Sequence, residues 1–144
     1  MTSVPSVFLD SSVLIAAMIS STGRARELLV RGIRGEVRLV SSDLVLTETE
    51  RNVLQKAPAA MPVFELLRQI LDADLVEPST ALLDQCMRSI HPKDAPIVAA
   101  AAFAQVAWLA TYDRKHLLTQ REIVATQFSV TLATPEEVLS SLRA

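Results

Sequence analysis

The sequence predicts an α/β protein in which helices cover both faces of a parallel sheet. Short apolar runs rich in Val and Leu alternate with longer helix-like segments along the chain, which is the order typical of parallel sheets with crossover helices. Hydrophobic residues make up 50% of the chain but aromatic residues only 4%, so aliphatic side chains must build the core. The length of 144 residues suits one domain, and we expect residues 1–144 to form it.

The first half of the chain contains two strand–helix units. We predict strands at residues 6–10 and 37–42, and helices that begin at residue 11 and span residues 23–36 and 43–56. Ser11 offers an N-cap to the first helix, and Gly35 ends the second. Either Ser42 or Asp43 caps the third. The first strand therefore ends on Asp10, directly before a helix.

The second half continues this alternation. We predict helices after Pro58, at residues 80–90, 91–106 and 114–118, and after Thr134, with strands at residues 75–78, 107–113 and 128–133. Thr134 is the expected N-cap of the last helix, and Pro135 occupies its first position. Because residues 75–78 are only a short strand candidate, the sheet is expected to contain about four to five strands.

The composition predicts a soluble cytoplasmic protein without a membrane segment. Cys86 is the single cysteine, so no internal disulfide can form. The longest apolar run, residues 95–104, contains Pro96 and is far shorter than the roughly 20 residues that cross a bilayer. No secretory signal precedes the first strand. The net charge of −2 argues against a protein that coats nucleic acid through overall basicity.

Three aspartates stand where ligands collect in parallel α/β sheets. Asp10 and Asp113 end predicted strands, and Asp94 belongs to the first turn of an alanine-rich helix. Ligands bind beyond the carboxyl ends of such strands, where helix N-termini also lie. Each acid also has an ordinary explanation, namely a helix cap, a first-turn charge and an Asx-turn. Because all three lie at corresponding edges, we favour one shared site.

A fourth acid is expected from the helix at residues 43–56, where Glu48 and Glu50 compete. Two residues apart on a helix, they differ in direction by about 200° and cannot both face one cleft. Periodicity does not decide between them. Both could also be solvated charges that pair with Arg51 or Lys56.

Carboxylates gathered in one cleft require a cation. They repel one another and raise each other's pKa values, and a divalent ion removes this conflict. An all-oxygen ligand set without paired His or Cys suits Mg²⁺ or Mn²⁺. Such an ion activates a water molecule and offsets the charge that develops on a phosphoryl group. The residues thus predict metal-assisted chemistry on an anionic substrate.

Four segments give the chain a specific resemblance. They are SVFLDSSVLIAA, SDLVLTETERNVLQK, HPKDAPIVAAAA and WLATYDRKHL. In this order and context the chain resembles the PIN-domain ribonucleases, in their bacterial VapC-toxin-like branch, over nearly its full length. The resemblance implies a PIN-like three-layer α/β/α fold. It also assigns the four family acids to Asp10, Glu48, Asp94 and Asp113, with Glu48 preferred to Glu50 on the E-T-x-R-N pattern.

The resemblance further implies a role for each residue of the site. Asp10, Asp94 and Asp113 would hold Mg²⁺ (or Mn²⁺), and Glu48 would orient the attacking water or a second ion. Ser11 and Thr111 would support the acids or position water. The chain departs from the family pattern at Tyr112, where Gly is frequent, and at Lys93, where some members carry an acid that serves a second metal.

The implied reaction is hydrolysis of RNA to products with a 3′-hydroxyl and a 5′-phosphate. Toxin-like members are commonly homodimers that a small antitoxin silences, so both partners are expectations here. Cations must flank an acidic site that receives RNA. The candidates for RNA contact are Arg24, Arg26, Arg51, Lys93, Arg114 and Lys115. A partly protonated His116 is a further candidate for a substrate contact.

Two other function classes fit part of this pattern. A receiver-like phospho-acceptor domain is also doubly wound, but it requires adjacent acids after the first strand, where this chain has Ser11 and Ser12. A catalytically inactive PIN-like module that binds RNA or protein would be expected to lack one or more of the acids, and all four are present. Nuclease activity is therefore the preferred interpretation.

Overall fold

Four parallel strands form a central sheet in the computed structural model, which describes residues 4–142. The strands are β1 (Ser6–Leu9), β2 (Arg38–Val40), β3 (Trp108–Ala110) and β4 (Thr131–Ala133). Their order across the sheet is β2-β1-β3-β4, and Val7 pairs with Leu39 on one side and Trp108 on the other. From β1 the next strand along the chain, β2, is added on one side, and from β3 the next strand, β4, is added on the other side. The carboxyl ends of β1 and β3 form the topological switch point, where such sheets bind ligands.

Helices cover both faces of this sheet and give the predicted three-layer α/β/α fold. They are α1 (Ser11–Ile19), α2 (Arg24–Ile33), α3 (Asp43–Lys56), α4 (Met61–Leu71), α5 (Thr80–Ser89), α6 (Ala95–Phe103), α7 (Arg121–Phe128) and α8 (Pro135–Leu142). Short 3-10 helices occupy Pro58–Ala60, Asp72–Asp74 and Leu117–Gln120. None of the helices within residues 4–142 has both the length and the apolarity that a membrane crossing requires.

β1 and α6 contribute a large part of the buried core. Val7, Phe8 and Leu9 are fully buried, as expected for a central parallel strand with helices on both faces. In α6, Ala95 and residues 97–101 are also buried, which explains why this helix is apolar on all sides instead of amphipathic. Both elements deliver an aspartate at the same edge of the sheet, because Asp10 follows β1 and Asp94 precedes α6.

The helix predicted at residues 91–106 is shorter than expected. Residues 91–94 form a turn in which the N–H groups of Asp94 and Ala95 both donate to the carbonyl oxygen of His91, at 2.9 and 3.0 Å. At the other end, Gln105 adopts a positive φ of 55°, so the helix stops before Val106. The apolar run extends past the helix, and periodicity alone could not locate either end.

The strand predicted at residues 75–78 is not formed. A single parallel bridge joins Leu75 to Ser41, and the Val76 N–H donates to the Ser41 carbonyl at 2.9 Å. Pro78 lacks the N–H that a continuing ladder would need. The sheet within residues 4–142 therefore has four strands, at the lower limit of the prediction.

The region after β3 also differs from the prediction. α7 has no counterpart among the predicted helices, because only Val124 and Phe128 are buried and the apolar pattern is weak. The short helix predicted at residues 114–118 is displaced, and a 3-10 helix forms at Leu117–Gln120 instead. This shift brings Gln120 toward the acidic residues described below.

The caps of two helices agree with the sequence. The Ser42 hydroxyl accepts a hydrogen bond from the Val45 N–H at 3.2 Å, which makes Ser42 the N-cap of α3. Thr134 and Glu137 form a capping box at the start of α8. The Thr134 hydroxyl accepts from the Glu137 N–H at 3.2 Å, and Glu137 Oε1 accepts from the Thr134 N–H at 3.0 Å.

An ion pair extends this capping box to α7. Both carboxylate oxygens of Glu137 accept from the Arg121 guanidinium, at 3.1 and 2.8 Å. Chiefly through Arg121, and next through the Thr134 N–H, the pKa of Glu137 falls from its ordinary value of 4.5 to about 2. A carboxyl whose pKa is lower in the folded than in the unfolded state stabilises the fold above the unfolded pKa.

We expect Glu137→Gln to lower the melting temperature at pH 7 by a few degrees. The side chains of Glu137 and Arg121 are 49% and 43% exposed, so solvent screening limits the loss to about 1 kcal/mol. The difference from wild type should shrink as the pH falls from 4.5 toward 2, measured by circular dichroism melts. Glu122→Gln, on the exposed surface of α7, is the control. A melting-temperature difference that does not change with pH would contradict a stabilising role for the charge of Glu137.

Candidate active site

An open cleft lies at the switch point between β1 and β3. Its volume is about 200 Å³, and its walls are Asp10, Ser11, Ser12, Glu48, Lys93, Asp94, Ile97, Asp113 and Leu117. The four acids that the family resemblance assigns to one site all line this cleft. They come from four different parts of the fold, namely the end of β1, the middle of α3, the start of α6 and the loop after β3.

Asp10 is held by three hydrogen bonds. Its Oδ1 accepts from the Ser11 N–H at 2.8 Å, which caps α1. Its Oδ2 accepts from the Thr111 hydroxyl at 2.7 Å and from the Ser12 hydroxyl at 3.1 Å. The residue is only 5% exposed. The N-cap of α1 is therefore Asp10 and not Ser11 as predicted, and the Asp10 side chain also lines the cleft.

Two hydroxyl groups join the start of α1 to the loop after β3. Ser12 Oγ accepts from the Tyr112 N–H at 2.9 Å, while Thr111 Oγ1 accepts from the Asp113 N–H at 3.0 Å. Among residues 4–142, Ser12 and Thr111 are the side chains that hydrogen-bond the Asp10 carboxylate. Ser11 lines the cleft and contributes its backbone N–H. Ser12 was missed because the sequence shows two adjacent serines and not which one turns toward β3.

The pKa of Asp10 is raised above its ordinary value. Burial is the main cause, and the hydrogen bonds from Thr111, Ser11 and Ser12 oppose it. The negative charge of Asp113 raises the pKa further. The folded protein therefore disfavours the charged form of this carboxyl, and a cation in the cleft would reverse that preference.

Asp94 is as deeply buried as Asp10, at 5% exposure. It precedes α6 but its side chain makes no capping hydrogen bond. Instead, its Oδ2 accepts from the Gln120 side-chain amide at 3.0 Å. Gln120 also accepts the His91 N–H through its Oε1, at 3.0 Å. Neither Gln120 nor this connection was foreseen, because the two acceptor–donor pairs are 26 and 29 residues apart in the chain.

Asp113 is more exposed, with a side chain that is 33% accessible. Its Oδ1 accepts from the His116 N–H at 3.1 Å, and His116 Nδ1 lies 3.4 Å from the same oxygen. The turn interpretation of Asp113 is therefore also correct, although the residue lines the cleft. His116 faces this carboxylate, and a protonated imidazole there would pair with it.

α3 turns Glu48 toward the cleft and Glu50 away from it. Glu48 is half-buried among the lining residues. Glu50 Oε2 lies 3.9 Å from Nη2 of Arg68 on α4. Thr49, between them, is fully buried. This arrangement follows from the roughly 200° between the two glutamates, and only the packing of α3 decides which of them faces the acids.

The predicted cations divide into two groups. Lys93 lines the cleft, and Arg114 and Lys115 are exposed in the turn that follows Asp113. Arg51 is exposed on α3, three residues after Glu48. Two others make contacts within the fold: Arg24 pairs with Glu27 at 2.6 Å, and Arg26 Nε donates to the Ala17 carbonyl at 2.6 Å.

The acids suit a hydrated ion better than a closed cage. Within residues 4–142, no three His, Cys, Asp or Glu side chains lie close enough together to hold a metal ion by themselves. All four acids nevertheless line one open cleft and offer only oxygen donors. Mg²⁺ usually keeps several water molecules and binds through one or two carboxylates plus substrate phosphates. The residues present therefore fit such an ion.

The fold and the cleft together define an α/β protein with a carboxylate-lined site at its topological switch point. The sequence model of the PIN domain matches residues 6–115. The chain therefore belongs to the PIN-domain family, whose members are generally nucleases. A comparison with curated proteins finds no significant match. The matched residues include all four acids of the cleft, whereas Gln120 lies beyond them.

Proposed function

We propose that the protein is a Mg²⁺- or Mn²⁺-dependent endoribonuclease and that residues 1–144 form one nuclease domain. The observation that carries this proposal is the convergence of Asp10, Glu48, Asp94 and Asp113 on one cleft. Family membership supports nuclease chemistry. The presence of all four acids favours an active enzyme over a binding module that has lost catalysis.

Three carboxylates are the proposed metal ligands. Asp10, Asp94 and Asp113 would hold the ion directly or through water. A bound ion lowers the pKa of a water molecule and offsets charge on the phosphoryl group. Thr111 and Ser12 keep Asp10 in one orientation through their hydroxyl groups. A carboxylate held in a fixed orientation needs less reorganisation during the reaction.

Glu48 is the proposed group that acts on water. It is less buried than Asp10 and Asp94, and it lines the cleft from α3, the helix that follows β2. A carboxylate there can accept a hydrogen bond from the attacking water and orient it toward phosphorus. Service to a second ion is the alternative role, but Lys93 lines the same cleft and its positive charge disfavours a further cation.

The cations near the cleft are the proposed RNA contacts. Lys93, Arg114 and Lys115 carry positive charge next to an acidic site that would otherwise repel phosphate. Arg51 extends this positive rim along α3. Arg24 and Arg26 would contribute only through the parts of their guanidinium groups that Glu27 and the Ala17 carbonyl leave accessible.

We also propose that the enzyme works in the cytoplasm as a homodimer and is the toxin of a toxin–antitoxin pair. The resemblance of the sequence to the VapC-toxin-like branch supports this assignment. Exposed apolar side chains supply surface for protein partners, since Ile19, Leu44 and Leu54 are each more than half exposed.

The test is cleavage of an end-labelled RNA by the purified protein. We expect cleavage with Mg²⁺ or Mn²⁺ and none with EDTA, and products that carry a 3′-hydroxyl and a 5′-phosphate. A DNA of the same sequence is the control for substrate class. Cleavage that persists in EDTA would refute the proposed metal dependence. Products that end in a 2′,3′-cyclic phosphate would refute attack by water, because the RNA 2′-hydroxyl would then be the nucleophile.

A further inference from the structure

Gln120 makes a contact that neither the sequence nor the family match assigns. It is the last residue of the 3-10 helix at Leu117–Gln120, it is half-buried, and it lies beyond the matched residues 6–115. Building on the proposed function, we propose that Gln120 is a positioning residue that orients Asp94 for the metal ion. Its side-chain amide makes three hydrogen bonds: Oε1 accepts from the His91 N–H at 3.0 Å, and Nε2 donates to Asp94 Oδ2 at 3.0 Å and to the His116 carbonyl at 3.4 Å.

The orientation of the amide follows from its partners. The His91 backbone N–H can only donate, so the atom that faces it at 3.0 Å must be the Gln120 oxygen. The amide nitrogen must then point the other way, toward Asp94 Oδ2 at 3.0 Å. A 180° flip of the amide would place a donor against a donor and an acceptor against an acceptor. The donor that faces Asp94 is therefore determined by the fold.

This hydrogen bond restricts a carboxylate that has little other support. Among residues 4–142, Gln120 supplies the side-chain hydrogen bond to the Asp94 carboxylate. Asp10, by comparison, receives three hydrogen bonds. The bond to Oδ2 opposes rotation of the Asp94 carboxylate, and a lone pair on Oδ2 and both lone pairs on Oδ1 stay available to a ligand. Groups that orient a metal ligand in this way commonly contribute about 10–100-fold to metal affinity.

The same segment contacts a second acid. Residues 113–120 begin at Asp113, whose Oδ1 accepts from the His116 N–H, and end at Gln120, which contacts Asp94. The Leu118 N–H also donates to the Asp113 carbonyl at 2.9 Å, so the segment is folded back on itself. A short, internally bonded segment thus connects Asp113 to Asp94. Loss of the Gln120 contact should disturb Asp94 without disturbing Asp10, which depends on Ser12 and Thr111.

The test is Mn²⁺ binding by Gln120→Met, measured by calorimetry without RNA. Methionine has a similar length but cannot donate to Asp94, so we expect its Mn²⁺ dissociation constant to rise about tenfold. Gln127→Met, at an exposed position of α7, is the matched control and should bind as wild type. Cleavage by Gln120→Met should need about tenfold more Mn²⁺ but approach the wild-type kcat at saturation. Gln120→Ala should likewise need more Mn²⁺ while keeping a kcat close to that of wild type.

The possible outcomes separate this inference from the proposed function. Equal Mn²⁺ affinity in wild type and in both Gln120 variants would overturn the role of Gln120 alone. A loss of kcat at saturating Mn²⁺ with unchanged metal affinity would also overturn it, since Gln120 would then act on a different step. If wild type shows neither Mn²⁺ binding nor Mn²⁺-dependent cleavage, the proposed function fails and this inference fails with it. Mn²⁺-dependent cleavage without Mn²⁺ binding in the absence of RNA would overturn this inference alone.

Discussion

Asp94→Asn is expected to reduce metal-dependent RNA cleavage by roughly a thousandfold, the upper range for losing one charge-stabilising group in an active site. Asp94 is 5% exposed and lines the cleft, so its charge acts in a region with little solvent screening. Asparagine has nearly the same shape and can still accept the Gln120 hydrogen bond, so the fold should persist. Initial cleavage rates at saturating Mn²⁺ measure the effect.

Two comparisons make this result interpretable. Asp84→Asn, at an exposed position of α5, is the control and should cleave as wild type. Asp10→Asn should lose activity to a similar extent, and circular dichroism melts measure any added loss of stability, because its amide turns a donor toward groups that now donate to Asp10. Retention of more than a tenth of the wild-type rate in both Asp10→Asn and Asp94→Asn would exclude the proposed mechanism.

The second large effect is expected from α3. Glu48→Gln should reduce cleavage about a hundredfold, because a neutral amide in the cleft is a much weaker acceptor for the proton of an attacking water. Glu50→Gln should leave the rate within twofold of wild type, since Glu50 lies toward Arg68 on the other side of the helix. The two substitutions remove the same charge from opposite sides of α3, so each variant is the control for the other.

The opposite result would have a clear meaning. If Glu50→Gln lost activity and Glu48→Gln did not, α3 would be rotated in the active protein and the cleft would be wrongly assigned. Loss in both variants, accompanied by lower melting temperatures, would point to α3 stability instead of catalysis. Circular dichroism melts of the two proteins distinguish these cases.

Much of the fold could be predicted because strand and helix signals are local. The apolar run at residues 6–10, the Ser42 cap of α3 and the Thr134–Pro135 start of α8 all depend on neighbouring residues. The errors arose where local signals are weak or shared. α7 buries only two side chains, and residues 75–78 have β-like residues but find only one pairing position beside Ser41.

The site shows the same division. By itself, the sequence placed Asp10 at the end of β1 and Asp94 at the start of α6, because element boundaries are encoded in short windows. The strand predicted to end on Asp113 stops at Ala110 instead, so Asp113 lies in the loop after β3. Only the tertiary structure decided that Glu48 faces the cleft, that Ser12 meets Thr111 and that Gln120 holds Asp94. The partners in the last two contacts are 99 and 26 residues apart. Which face a helix buries, and which distant side chains meet, depends on how the whole chain packs around β1 and β3.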